Sequence, residues 1–230
     1  MKARSILSWV LACGLAVTLT ACGGLSEGEV SAYVQGELDC TYKGQYSQEY
    51  LDLVEGMTES YAQQQYEDNA QTEAQRLLSY LDVHSPTDQV NERAVQLVKD
   101  IYASARYTVG EGTKLQGGDF AVEVTLSPIE LFHLIPEEIY RQVWTEICQE
   151  HGTTPDLAIA SLSDAEYQAL DEEYANQMLD GVEAVLPQLT YGQEQSVTLR
   201  LQREGESYIL ASDDWTALDD MVIDYTGSYR

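Results

Sequence analysis

The chain is short of positive charge. It has 12 Lys and Arg against 39 Asp and Glu in 230 residues, for a formal charge of −27. Nucleic acid is held by clustered Lys and Arg set against phosphate, so nucleic acid is excluded as a partner. Histidine occurs only at His84, His133 and His151, in no metal-ligand spacing, and neither CxxC nor HExxH is present. Cys148 and His151 lie three apart, but a zinc site needs more ligands than that pair. No metal and no cofactor is expected. The sequence also lacks S-x-x-K and any cysteine with a readable His partner, and in its one G-x-S-x-G string, Gly24-Leu25-Ser26-Glu27-Gly28, the serine fits a helix cap, so it offers no nucleophilic set. Phenylalanine is almost absent, at 2 against 16 Tyr. The long apolar run is residues 6–19, too short and wrongly flanked for a transmembrane helix.

That run follows Lys2 and Arg4 and ends at Leu19-Thr20-Ala21-Cys22, which is the order of an export signal. Leu-Thr-Ala-Cys resembles the lipobox of bacterial lipoproteins, in which the signal is cut before a cysteine carrying diacylglycerol. The resemblance implies a signal peptide over residues 1–21, lipidation of Cys22, and a tether over 22–25. Lys2 and Arg4 leave with the leader and no acid does, so the mature chain is two charges more negative than the whole. An acidic surface serves solubility outside the cell, and it biases the chain toward cationic partners such as basic peptides, polyamines or calcium. Ser26 and Glu29 fit a capping box, so the fold begins about four residues from the lipid, within roughly 14 Å of it.

Of the four cysteines, Cys13 leaves with the signal and Cys22 takes the lipid, which leaves Cys40 and Cys148. Export permits a disulfide between them, contributing about 4 kcal/mol in the chain-entropy model. Two buried free thiols are the alternative.

Hydrophobic periodicity predicts helices over 27–41, 58–82 and the segment after Ser85-Pro86-Thr87-Asp88, with Pro86 at the first helical position. A short helix capped by Ser47 carries Tyr50, Leu51 and Val54. Residues 107–109 and 120–126 alternate with period two around Gly117-Gly118-Asp119, a hairpin signal. Pro136 opens another helix, 152–162 reads as a looser stretch, and Ser163 with Glu166 caps a helix that Pro187 ends. Strands at 196–201 and 208–211 follow, then a helix capped by Asp213 or Asp214. This is a helix-rich α+β chain with two short antiparallel β-hairpins. It divides into halves at 26–127 and 128–230 that repeat helix, helix, strand, strand, either as a duplication or as an alternation arisen by chance.

The acidic pairs Glu137-Glu138, Asp171-Glu172-Glu173, Asp213-Asp214 and Asp219-Asp220 are adjacent in sequence. Glycosidase carboxyls come instead from distant segments about 5–9 Å apart. They read as solvated surface, with weak calcium binding by Asp213, Asp214, Asp219 and Asp220 as the alternative. Tyr33, Tyr66, Tyr167 and Tyr174 fall on apolar stripes and read as core. Tyr42, Tyr46 and Tyr50 cluster around a turn and form the candidate exposed recognition surface.

The segments Tyr33-Val34-Gln35-Gly36-Glu37-Leu38-Asp39-Cys40-Thr41-Tyr42-Lys43-Gly44 and Glu123-Val124-Thr125-Leu126-Ser127-Pro128-Ile129 are similar to a family of lipoproteins of Gram-positive anaerobes known only as a domain of unknown function. The resemblance implies a surface-tethered α+β domain on the outer face of the cell membrane, and it carries over no functional residue. The expectation is a non-enzymatic binding or interaction module whose partner is a protein or small ligand, with cationic partners favoured by the charge. The alternatives are a transporter's solute-binding component and an envelope hydrolase.

Overall fold

The computed structural model describes residues 25–205 and 207–229, so the expected signal segment and Cys22 lie outside the described residues. Chain order begins with α1 (Glu27–Leu38), whose capping box is formed as expected: the Ser26 hydroxyl accepts from Glu29 N, and the Glu29 carboxylate accepts from Ser26 N at 2.8 Å. Leu25, just before the cap, is already buried in the core. The helix runs on into a π-helical turn, Asp39–Lys43, that Gly44 ends at φ 60°, a left-handed position suited to glycine. A Cβ there would also meet the Tyr66 ring at 2.8 Å.

Next come α2 (Gln48–Leu53), capped by Ser47, and the long α3 (Glu59–Tyr80), capped by Thr58. The small residues Ala62, Ala70 and Ala74 are buried on α3, which packs along α4 (Asp88–Tyr102). Pro86 is not the first helical residue: Thr87 is the N-cap, its hydroxyl accepting from Val90 N, and Pro86 sits in the loop before it. The buried Asp171 carboxylate accepts from His84 N and Ser85 N, fixing that loop from across the molecule.

The strands are β1 (Arg106–Val109), β2 (Thr113–Lys114), β3 (Phe120–Ser127), β4 (Ile129–Glu130), β5 (Thr190–Tyr191), β6 (Gln195–Glu204) and β7 (Ser207–Leu210). One antiparallel sheet runs β1-β3-β6-β7, with β2 also pairing β3, and β4 pairs β5 separately. The two expected hairpins are thus joined side by side through β3 and β6, from Phe120 opposite Leu201 to Leu126 opposite Gln195. The segments 26–127 and 128–230 share this sheet. Along β3, Phe120, Val122, Val124 and Leu126 are buried while Glu123 is exposed, so one face carries the core and the other meets solvent. Helix α1 and the last helix, α8 (Ser212–Val222), pack on the covered face. Neither Asp213 nor Asp214 caps α8; both lie in its first turn, and Asp214 accepts a two-pronged hydrogen bond from Arg200 instead.

Between β4 and β5 the chain forms α5 (Glu137–Glu150), α6 (Pro155–Ser161) and α7 (Asp164–Val185). The loose stretch expected at 152–162 contains α6: the Thr154 hydroxyl accepts from Leu157 N, and Pro155 occupies the first turn. No described helix is long and apolar enough to cross a membrane.

Candidate functional site

Helices α5, α6 and α7, with the end of α3, enclose an open cleft of about 940 Å³. Local sequence positions each wall. Helix α5 opens with Pro136 at the cap position, and its C-terminus closes when Thr153 N donates to Cys148 O across Gly152 at φ 71°. This left-handed cap turns the chain directly into α6. Helix α7 starts from the Ser163–Glu166 capping box. The α3 wall ends in a similar cap, Val83 N to Leu78 O at 3.0 Å, but there the left-handed residue is Asp82 at φ 62°. Among the described residues Asp82 is the only non-glycine with positive φ, and its side chain is 76% exposed at the cleft.

Five aromatic rings line the cleft: Tyr80, Tyr140, Trp144, Tyr167 and Tyr174. Trp144 lies 5.7 Å from Tyr167 and 5.8 Å, edge to face, from Tyr174; Tyr80 and Tyr140 meet edge to face at 6.3 Å. The Tyr174 hydroxyl donates to Leu81 O, which ties the α7 wall to the end of α3. Ile159 of α6, also lining the cleft, is 71% exposed. The rim is acidic, with Asp82, Glu137 and Glu138 against Arg141 and His84, and His84 Nε2 stands 3.6 Å from Asp82. Asp171 also reaches the cleft, but its carboxylate is committed to the two backbone donors of the α4 loop.

A second polar cluster lies between α3 and α8, with Glu73 buried and Arg76 and Asp220 reaching solvent. Glu73 is 5% exposed and accepts from the Tyr225 hydroxyl at 2.6 Å, with Arg76 at 3.5 Å. Arg76 also reaches Asp219 and Asp220, and Asp219 accepts from the buried Tyr42 hydroxyl at 2.9 Å. Burial pushes the Glu73 carboxyl up to about 7, against the pull of Arg76 and the Tyr225 hydrogen bond, with Asp219 adding to the rise. Asp219 is raised as well, chiefly by burial. This cluster does not open into the cleft, since none of its residues lines it.

Of the residues expected to form a site, Tyr42 and Tyr50 are fully buried, so the exposed tyrosine surface is corrected. Tyr42 stacks on Trp215 at 6.2 Å, and Tyr50 lies against Gly36 with its hydroxyl on Glu37. The turn placed around them is a π-helical turn and a capped helix, both of which face inward. Tyr46 is half-buried against the core. Cys40 and Cys148 are buried free thiols. Burial and the nearby Glu37 push the Cys40 thiol up to about 12, and its Sγ lies 3.4 Å from Ala62 O. His151 pairs with Glu173 at 2.9 Å, so its nearest polar partner lies on α7 and not at Cys148. Of the four aspartates weighed for calcium, Asp214 is held by Arg200 and Asp219 by Tyr42 and Arg76; among the described residues no group of three or more His, Cys, Asp or Glu is placed to hold a metal ion. Sequence reasoning missed the cleft. The signals available were the Thr154-Pro155 helix start and the apolar Ile159 beside it, on a helix too short to show a period.

No protein-family model matches the chain, and no curated protein matches it. Among solved structures, the chain is similar to the crystal structure of YcdA from Bacillus subtilis, a protein assigned as a lipoprotein. The TM-score is 0.51 at 13% sequence identity, over 86% of this chain and 57% of that one. The likeness is one of fold, and the chain spans little more than half the length of that structure.

Proposed function

We propose that the chain is a lipoprotein tethered by Cys22 to the outer face of the cell membrane, where it works as a non-enzymatic binding module with the α5–α7 cleft as its ligand site. The observation that carries the reading is the cleft, aromatic-walled and open, with a volume within the roughly 300–1,000 Å³ of small-ligand sites. The tether is supported by the Leu19-Thr20-Ala21-Cys22 segment, by the similarity of fold to YcdA, and by the position of Leu25. Because Leu25 is packed in the core, only Gly23 and Gly24 stand between Cys22 and the fold. Three extended steps span about 10 Å, so the module is held against the bilayer surface. A binding role is favoured over hydrolysis because the carboxyl with the strongly raised pKa, Glu73, is buried and does not line the cleft.

Two measurements on the full chain test the reading. Cys22→Ala is expected to move the protein from the membrane fraction to the soluble one; unchanged partition would remove the anchor. A thermal-shift panel of calcium, polyamines, cationic peptides, amino acids and cell-wall sugars, with the protein in detergent micelles, is expected to give a saturable rise. A ligand at 100 times its Kd stabilises by about 2.7 kcal/mol. A rise unaffected by Trp144→Leu would place the site elsewhere, and no rise with any ligand would count against small-molecule binding.

A further inference from the structure

We propose that the cleft takes a small organic ammonium ion, one with a compact apolar body beside its charge. The inference rests on reading the chain as a binding module and names the ligand class of that module's site.

The walls and the rim ask for different things, and one ligand satisfies both. Trp144, Tyr140 and Tyr80 offer apolar ring surface whose faces carry negative quadrupole, so they favour either a neutral apolar body or a cation. The rim decides between them. Asp82, Glu137 and Glu138 place three carboxylates at the mouth against one guanidinium, Arg141. Arg141 lies one helical turn after both Glu137 and Glu138, at the spacings where Glu and Arg side chains interact along a helix, and its single charge can offset one of the two. That leaves Asp82, at the end of α3, and one of the two α5 glutamates uncompensated by a fixed cation, since His84 beside Asp82 is charged only when protonated. An anionic ligand would meet this pair and the field of a chain at −27. Entry of an ammonium ion is favoured by the same field and by the low dielectric of the aromatic walls. Asp82 adds a further indication. Its left-handed cap position, one that aspartate tolerates, leaves its carboxylate exposed over the cleft.

The test titrates the full chain, in detergent micelles at low salt, with benzyltrimethylammonium and with its uncharged isostere neopentylbenzene. A cation–π contribution between about 0.5 and 2 kcal/mol corresponds to a preference of roughly 2- to 30-fold, to which the rim carboxylates add. The ammonium ion is expected to bind at least about tenfold more tightly than the isostere, and less tightly as salt is raised. Asp82→Asn keeps a residue that tolerates positive φ and removes the charge. Together with Glu138→Gln on the exposed first turn of α5, it is expected to lower affinity for the ammonium ion about fivefold or more and leave the isostere unchanged. Trp144→Leu is expected to weaken both.

Equal affinity for the two probes would overturn the ammonium assignment while leaving an apolar binding site. Binding of the ammonium ion that survives Trp144→Leu and both charge removals would overturn the site. No binding of either probe, alongside a saturable shift from another ligand in the thermal panel, would overturn the assignment and keep the module.

Discussion

Glu73 makes the stability of this protein fall as pH rises from about 4.5 to about 7, the reverse of what an acidic chain with ordinary carboxylates would do. Its carboxyl ordinarily titrates at 4.5 and is raised to about 7 in the fold, because burial disfavours the charged form more than Arg76 and Tyr225 favour it. Between those values the folded state binds a proton that the unfolded chain has released. Stability therefore decreases with pH in that window and levels off for this group above about 7. A shift of that size at about 1.4 kcal/mol per pH unit is about 3 kcal/mol, a large part of the 5–15 kcal/mol typical of a domain. The effect is fully present as stabilisation below pH 4.5 and lost by about 7.5. Glu73→Gln keeps an oxygen to accept from Tyr225 and has no charge to bury, while Arg76 retains Asp220 at 3.2 Å. Urea unfolding of both proteins at 0.15 M salt, in steps from pH 4.5 to 8.5, should show wild type losing about 3 kcal/mol relative to the variant, with unchanged m-values. Parallel curves across the window would refute the reasoning, because Glu73 would then titrate as an exposed acid does. The acid limb has a different origin. At Asp224 burial alone would raise the pKa, but hydrogen bonds from Tyr229, Thr226 and Ser228 outweigh it and hold the group below its ordinary 3.8, so that stabilisation disappears only as pH falls further.

Two further outcomes follow from packing. Gly36→Ala would place a Cβ between 2.3 and 2.6 Å from atoms of Tyr50, a ring with 0% exposure that is also held by Glu37, so unfolding should show a loss of about 2–3 kcal/mol despite alanine's better helix propensity. Gly181→Ala, on α7 with nothing within 4 Å, should instead gain up to about 1 kcal/mol, and a loss there as large as at Gly36 would argue against the packing explanation. Cys40 and Cys148, free and buried with raised thiols, should stay unalkylated in the native protein at pH 8 by peptide mass analysis, and dithiothreitol should leave the melting temperature unchanged; a reductant-dependent drop would mean they are bonded.

Helix starts were legible in the sequence because capping is local. Ser26 with Glu29 and Ser163 with Glu166 form their boxes within four residues, and Ser47 and Thr58 cap as their spacing implies. The alternation in β3 likewise announced its buried face. Where a cap depended on distant groups, sequence reasoning failed. Asp214 looked like a cap for α8, but a bidentate Arg200 on β6 draws it away. Pro86 looked like the first helical residue, but the Thr87 hydroxyl caps α4 at Val90 N, and Asp171, 85 residues after Pro86, holds the loop before it. The tyrosines near Tyr42 misled for the same reason. A hydroxyl suits exposure until a carboxylate such as Asp219 or Glu37 arrives from elsewhere to receive it, and then the whole ring can be buried.

The sequence by itself determined the charge of the chain, its lipobox-like segment, its class as a helix-rich α+β protein, and most of its element boundaries. These depend on composition and on contacts a few residues apart. Only the tertiary structure decided that β3 pairs with β6 to merge two hairpins into one sheet, that Glu73 and Asp219 share Arg76, and that Tyr80, Asp82, Glu138, Trp144, Ile159 and Tyr174 line one cleft. The physical reason is sequence separation. A cleft is built from groups on separate elements, and their pattern has no period along the chain from which it could be read.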